Sequence, residues 1–105
     1  MAKVDDVTLS EDIKLCFQMA MDLRYTRSQR ENFNEHGETL RKQLAVLYGK
    51  YFTSGVDKVA SAKANIAKVN GELKKTIENI HYTTEMINNL GMLVHQLSEL
   101  IKILG

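Results

Sequence analysis

A heptad pattern in the carboxyl-terminal half of the sequence is the strongest constraint on the fold. Mostly aliphatic residues recur there at alternating steps of three and four: Val59, Ala62, Ile66, Val69, Leu73, Thr76, Ile80, Thr83, Ile87, Leu90, Val94, Leu97, Ile101 and Leu104. A pattern sustained for more than about four heptads is typical of a helix packed lengthwise on other helices. It predicts one long helix, helix B, over about residues 57–104.

The amino-terminal half has a weaker periodicity of the same kind. An apolar stripe begins at Leu9 and Ile13, thins over residues 24–35 and then resumes. The sequence contains no proline, so no residue enforces a break in a helix. We therefore expect a second long helix, helix A, over about residues 9–53, joined to helix B by a tight turn at residues 53–56.

Two helices of similar length predict an all-α fold, a long antiparallel helical hairpin resembling a coiled coil, with residues 1–105 as a single helical domain. One hairpin leaves much of its apolar surface uncovered, so we expect it to complete a four-helix bundle by dimerisation. The alternative is a three-helix bundle with a break near Gly37, because glycine costs about 1 kcal/mol relative to alanine inside a helix.

Composition limits the cellular setting and the partners. The 14 basic and 13 acidic residues give a net charge of +1, without the basic excess typical of nucleic-acid binding, which we regard as unlikely. The single cysteine suits a reducing compartment, and the acidic start does not resemble a signal peptide. We expect a cytoplasmic protein without a membrane span, because the most apolar window, residues 86–105, includes the polar or charged side chains of Asn88, Asn89, His95, Gln96, Glu99 and Lys102.

The sequence contains no motif for catalysis, such as a glycine-bracketed serine or a phosphate-binding glycine loop. We predict no catalytic residue, metal site or cofactor. The expected function is a non-enzymatic protein–protein interaction module, as in a scaffold, adaptor, small chaperone or assembly subunit, acting as a homo-oligomer or on a helical partner. The alternative is a small regulatory protein that binds nucleic acid or an acidic partner through basic residues of helix A: Arg24, Arg27, Arg30, Arg41 and Lys42.

Two sets of residues are candidates for partner binding. The predicted interaction face consists of apolar residues from both ends of the chain: Leu9, Ile13, Phe17, Met21, Leu90, Leu93, Val94, Leu97, Leu100, Ile101 and Leu104. A predicted specificity layer combines Thr76 and Thr83 with Arg24 and Arg27. Polar residues at seam positions reduce stability but can fix the register or the choice of partner.

Overall fold

The computed structural model describes residues 2–104 and confirms the all-α class. Its elements are α1 (Asp6–Ala20), α2 (Arg27–Leu47), α3 (Val56–Glu78) and α4 (Thr83–Leu104), with a 3₁₀ turn at Ile80–Tyr82. The molecule measures 43 × 20 × 19 Å along its principal axes. A straight helix over residues 57–104 would be roughly 70 Å long, so the extended hairpin is not formed.

The expected helix A is broken at residues 21–26. Asp22 turns the chain there, because its carboxylate accepts a hydrogen bond of 2.9 Å from the backbone amide of Arg24. Thr26 then caps α2: its hydroxyl oxygen accepts from the amide of Gln29, and the Gln29 side chain accepts from the amide of Thr26. This reciprocal capping box satisfies two amides that the first turn leaves unpaired. The break therefore lies at the edge of the region where the apolar stripe thins.

Gly37, the break point of the alternative three-helix fold, lies inside the continuous helix α2. It is buried against α1, and an alanine Cβ at this position would lie 3.0 Å from Cε1 of Phe17 and 3.2 Å from Cβ of Cys16. The absence of a side chain thus allows α1 and α2 to approach closely. Gly37 serves the packing of the two helices rather than a break between them.

The expected helix B is interrupted at Asn79. This residue has extended backbone angles, and its side chain accepts a hydrogen bond of 3.1 Å from the amide of His81. The 3₁₀ turn follows, and α4 starts at Thr83. All heptad positions within α3 are buried, from Val59 to Thr76. In α4 only the row Thr83, Leu90 and Leu97 is buried, whereas Ile87, Val94 and Ile101 are partly buried and their places in the core are taken by Met86, Leu93 and Leu100. The pattern therefore predicted the buried face of α3 and one row of α4, but neither the turn nor the change of face that follows it.

The four helices pack in a bundle-like arrangement in which each contacts two others. Helix α1 packs on α2 and α3, and α4 packs on the same two helices. Helix α1 runs antiparallel to α2, because Asp6 lies beside Gly49 and Phe17 beside Gly37. Helix α3 runs antiparallel to α4, because Asn65 pairs with Gln96 and Glu72 with Asn89. Helices α1 and α3 begin at the same end of the bundle, where Ala2 pairs with Phe52, and they run parallel, with Asp12 beside Asn70. One chain thus supplies the four helices that the hairpin hypothesis drew from two copies.

The core runs through the centre of the bundle and receives side chains from all four helices. Its largest fully buried members are Leu9, Met19, Phe33, Leu40, Leu47, Ile66, Leu73, Met86, Leu90, Leu93, Leu97 and Leu100. At one end, Ala2 and Phe52 exchange two backbone hydrogen bonds of 3.1 and 2.6 Å. Val4 and Phe52 are buried there, so the amino-terminal segment is pinned to the connection between α2 and α3.

Candidate interaction groove

Most of the predicted interaction face forms the core of the chain itself. Six of its residues are buried: Leu9, Ile13, Leu90, Leu93, Leu97 and Leu100. Phe17, Val94 and Ile101 are partly buried against the core, whereas Met21 and Leu104 are exposed. The buried residues are already covered by helices of the same chain. An apolar pattern marks positions that need a cover, but it does not say whether that cover comes from the same chain or a second one.

The two threonines of the predicted specificity layer are buried and bond within their own segments. The hydroxyl of Thr76 donates to the carbonyl of Glu72 at 2.8 Å, and that of Thr83 donates to the carbonyl of Ile80 at 2.5 Å. The Thr76 carbonyl also accepts a hydrogen bond of 3.3 Å from the hydroxyl of Tyr25. This bond ties the α1–α2 connection to the end of α3, so the threonines stand at one end of the bundle.

The two arginines of the predicted layer bond to neighbouring acids instead of the threonines. Arg24 forms an ion pair of 2.6 Å with Asp22, and Arg27 forms one of 3.2 Å with Glu31. Hydrogen bonds from Arg24 lower the pKa of Asp22. Both pairs are at the surface, where such contacts contribute little to stability. The structure therefore does not bring the four residues of this layer together.

Two depressions lie along the seam between α1 and α2, one at each end, and exposed or partly buried apolar side chains line both; we refer to this seam as the α1–α2 groove. At one end it is lined by Val7, Leu44 and Tyr48, and at the other by Phe17 and Met21. Val7 and Met21 are each 82% exposed, and Tyr48 is 69% exposed. Scattered apolar residues are common on protein surfaces, but aligned ones in a groove are typical of binding sites.

The middle of this α1–α2 groove is basic. The guanidinium of Arg41 lies 5.8 Å from the centroid of the Phe17 ring. The antiparallel register that places Asp6 beside Gly49 and Phe17 beside Gly37 also places Lys14 level with Arg41. Among residues 2–104, neither Lys14 nor Arg41 forms an ion pair within the chain. Both cations are therefore available to an acidic partner.

Sequence reasoning found only part of this groove. It selected Phe17 and Met21, but as members of the apolar face that is now mostly core, and it did not select Val7, Leu44 or Tyr48. The available signal was a second apolar row on α1, beside the buried one, formed by Val7, Phe17 and Met21. The row is sparse, because the positions between Val7 and Phe17 at the same helical spacing are the polar residues Ser10 and Lys14. Such a sparse row gains meaning once the packing of α1 on α2 is known.

Within residues 2–104, no group of three or more His, Cys, Asp or Glu side chains is placed to hold a metal ion. Over the same residues, none of the helices combines the length and the apolar character needed to cross a membrane. Comparison with protein-family models, with curated proteins and with solved structures finds no match to this chain.

Proposed function

We propose that the protein is a non-enzymatic interaction module that binds an amphipathic helix of a partner protein in the α1–α2 groove. The observation that carries this proposal is the position of exposed Val7, Tyr48 and Met21 along the α1–α2 groove, in the two depressions at its ends. Helices bind such grooves with apolar residues spaced three or four apart, which insert between the two supporting helices. A scaffold or adaptor role follows from this mode of binding.

The charges at the middle of the groove favour an acidic partner helix, whereas its two ends carry both signs: Lys3, Asp5 and Asp6 at one, Arg27, Arg30, Glu31 and Glu35 at the other. Lys14 and Arg41 are unpaired cations at its middle, and a partner carrying glutamate or aspartate there would neutralise both. A second copy of this chain is a poorer occupant. A two-fold axis through the middle of the groove would place Lys14 and Arg41 against their own copies. The proposal therefore favours a partner of different sequence over the homodimer expected from the sequence.

The test uses a synthetic amphipathic helix as the probe. One peptide carries leucines at positions one, four and five of each seven-residue repeat with glutamates beside them, and its twin carries lysines in place of the glutamates. We expect the acidic peptide to bind and to shift the backbone NMR signals of residues 7–21 and 37–48. The lysine peptide should bind at least about tenfold more weakly, because it repels the two cations.

Matched variants assign the binding to the groove. Arg41→Glu combined with Lys14→Glu should reverse the preference between the two peptides, whereas Lys68→Glu on the exposed side of α3 should leave it unchanged. Tyr48→Ala should weaken both peptides while the helical circular dichroism stays the same. The proposal fails if neither peptide shifts the groove signals, or if those signals shift with protein concentration alone, which would indicate self-association.

A further inference from the structure

Asp12 is a buried carboxyl group that the proposed function does not use. It lies on the face of α1 that packs against α3 and is 0% exposed. One of its oxygens accepts a hydrogen bond of 2.9 Å from the side-chain amide of Asn70. The other oxygen, Oδ2, is buried without a hydrogen-bond partner. A carboxylate in this position lacks the donors that a buried charge requires.

The charges around Asp12 do not compensate it. On its own helix Glu11 lies beside it, and the N-cap residue Asp5 adds a second negative charge. From α3, Lys74 forms its ion pair of 3.0 Å with Glu11. From α2, Arg41 is placed over Phe17, five residues further along α1. The neutral form of the Asp12 carboxyl is therefore the one that suits the packed interface.

We infer that helix α1 is a pH-sensitive latch, which packs on α3 with the Asp12 carboxyl neutral and is released when that carboxyl ionises. Burial, together with the charges of Glu11 and Asp5, raises the pKa of Asp12 from 3.8 to about 7. A raised acid pKa means that the packed state holds a proton that the released state gives up. Packing of α1 is then strongest at acid pH, weakens as the pH rises from about 4 to about 7, and levels off above that.

Release of α1 would uncover apolar surface of the same kind that the sequence predicted for partner binding. Leu9 and Ile13 would leave the core from the α1 side, and the buried face of α3 would lose its cover at Ile66 and Val69. The latch would thus control access to a helix-sized apolar trough near neutral pH. The latch does not rest on the proposed function, and release of α1 would also remove one wall of the α1–α2 groove.

Cys16 provides a reporter inside the latch. It is the single cysteine of the chain, it lies one helical turn after Asp12, and it is 0% exposed. Burial raises the pKa of its thiol to about 12, so a thiol reagent reaches it through opening of α1. The experiment measures the labelling rate with 4,4′-dithiodipyridine between pH 5 and 8. Each rate is divided by the rate for the urea-unfolded chain at the same pH.

We expect the normalised rate to rise about tenfold per pH unit below pH 7 and to level off near pH 8. Asp12→Asn should remove the rise, because the amide keeps the shape but does not ionise. Glu78→Gln, which removes an exposed carboxyl group at the end of α3, should retain it. A flat profile in the natural sequence, or an unchanged rise in Asp12→Asn, would overturn the latch. Labelling that equals global unfolding, measured in urea at each pH, would also overturn it, because the bundle would then open as one unit.

Discussion

Single residues determine how closely the helices of this bundle approach each other. Gly37 is the clearest case, since its missing side chain leaves room for Phe17 and Cys16 of α1. Gly71 is different, because an alanine Cβ there would meet no atom within 4 Å. Both glycines lie in helix interiors, where glycine is disfavoured. Gly71 therefore carries only the cost of glycine in a helix, whereas Gly37 also allows α1 and α2 to pack closely.

The two glycines should respond in opposite directions to replacement by alanine. Gly71→Ala should raise the free energy of unfolding by about 1 kcal/mol, through helix propensity alone. Gly37→Ala gains the same helix propensity, but its methyl group would push α2 away from Cys16 and Phe17 of α1. Such overpacking costs about 1–3 kcal/mol, so we expect a net loss of stability. Urea unfolding followed by circular dichroism at 222 nm measures both. Equal stabilisation by the two variants would contradict the assigned role of Gly37.

At the scale of elements, the sequence predicted the buried faces of the helices better than the residues at which the helices begin and end. The heptad positions of helix B are buried from Val59 to Thr76, because periodicity reports which side of a helix needs a cover. The turn at Asn79 was not predicted because the row Thr83, Leu90 and Leu97 stays buried beyond it, although the other row gives way to Met86, Leu93 and Leu100. The break at residues 21–26 is marked in the sequence by the capping pair Thr26 and Gln29, which the thinning apolar stripe had concealed.

The same limit applies to the candidate site. Leu90, Leu93 and Leu97 carry the strongest apolar signal in the sequence and were assigned to a partner interface, yet they are core. Val7 and Tyr48 carry a weak signal and are exposed beside each other in the groove. Strong periodicity identifies what a bundle buries, whereas a binding surface consists of what is left over once the helices have packed.

The capping box of α2 provides the prediction at this scale. Thr26→Ala removes the hydroxyl that accepts from the Gln29 amide at 3.1 Å, and we expect a loss of about 1 kcal/mol in the free energy of unfolding. Thr39→Ala in the interior of the same helix is the matched control. Its hydroxyl donates to the carbonyl of Glu35, a bond of little value mid-helix, so alanine should stabilise slightly. Thermal unfolding of both variants checks the contrast, and a stable Thr26→Ala would show that the break at residues 21–26 does not depend on this cap.

At the scale of the whole molecule, four helices from one chain enclose the core, and this removes the reason for which dimerisation was first expected. A two-helix hairpin needs a second copy to cover its apolar rows, whereas here α1 and α4 both pack on α2 and α3. The surface that we propose for association is the α1–α2 groove, and apolar side chains such as Leu23 and Met92 are exposed outside it. Its basic middle disfavours self-pairing. We therefore expect the isolated protein to be a monomer.

The variant Leu97→Asp distinguishes a four-helix bundle formed by one chain from a bundle formed by two copies of the chain. Leu97 is 0% exposed in α4, and an unpaired buried charge costs several kcal/mol, so the variant should lose its helical circular dichroism as a monomer. If Leu97 instead lay at an interface between copies, the natural protein would have the mass of a dimer and the variant would be a folded monomer.

Met92→Asp is the control, because Met92 is 66% exposed on the same helix and should tolerate a charge without loss of stability. Light scattering after size exclusion, over a dilution series of the natural protein and both variants, gives the masses, and circular dichroism of the same fractions gives the folding state. A dimeric natural protein that Leu97→Asp converts into a folded monomer would refute the single-chain bundle.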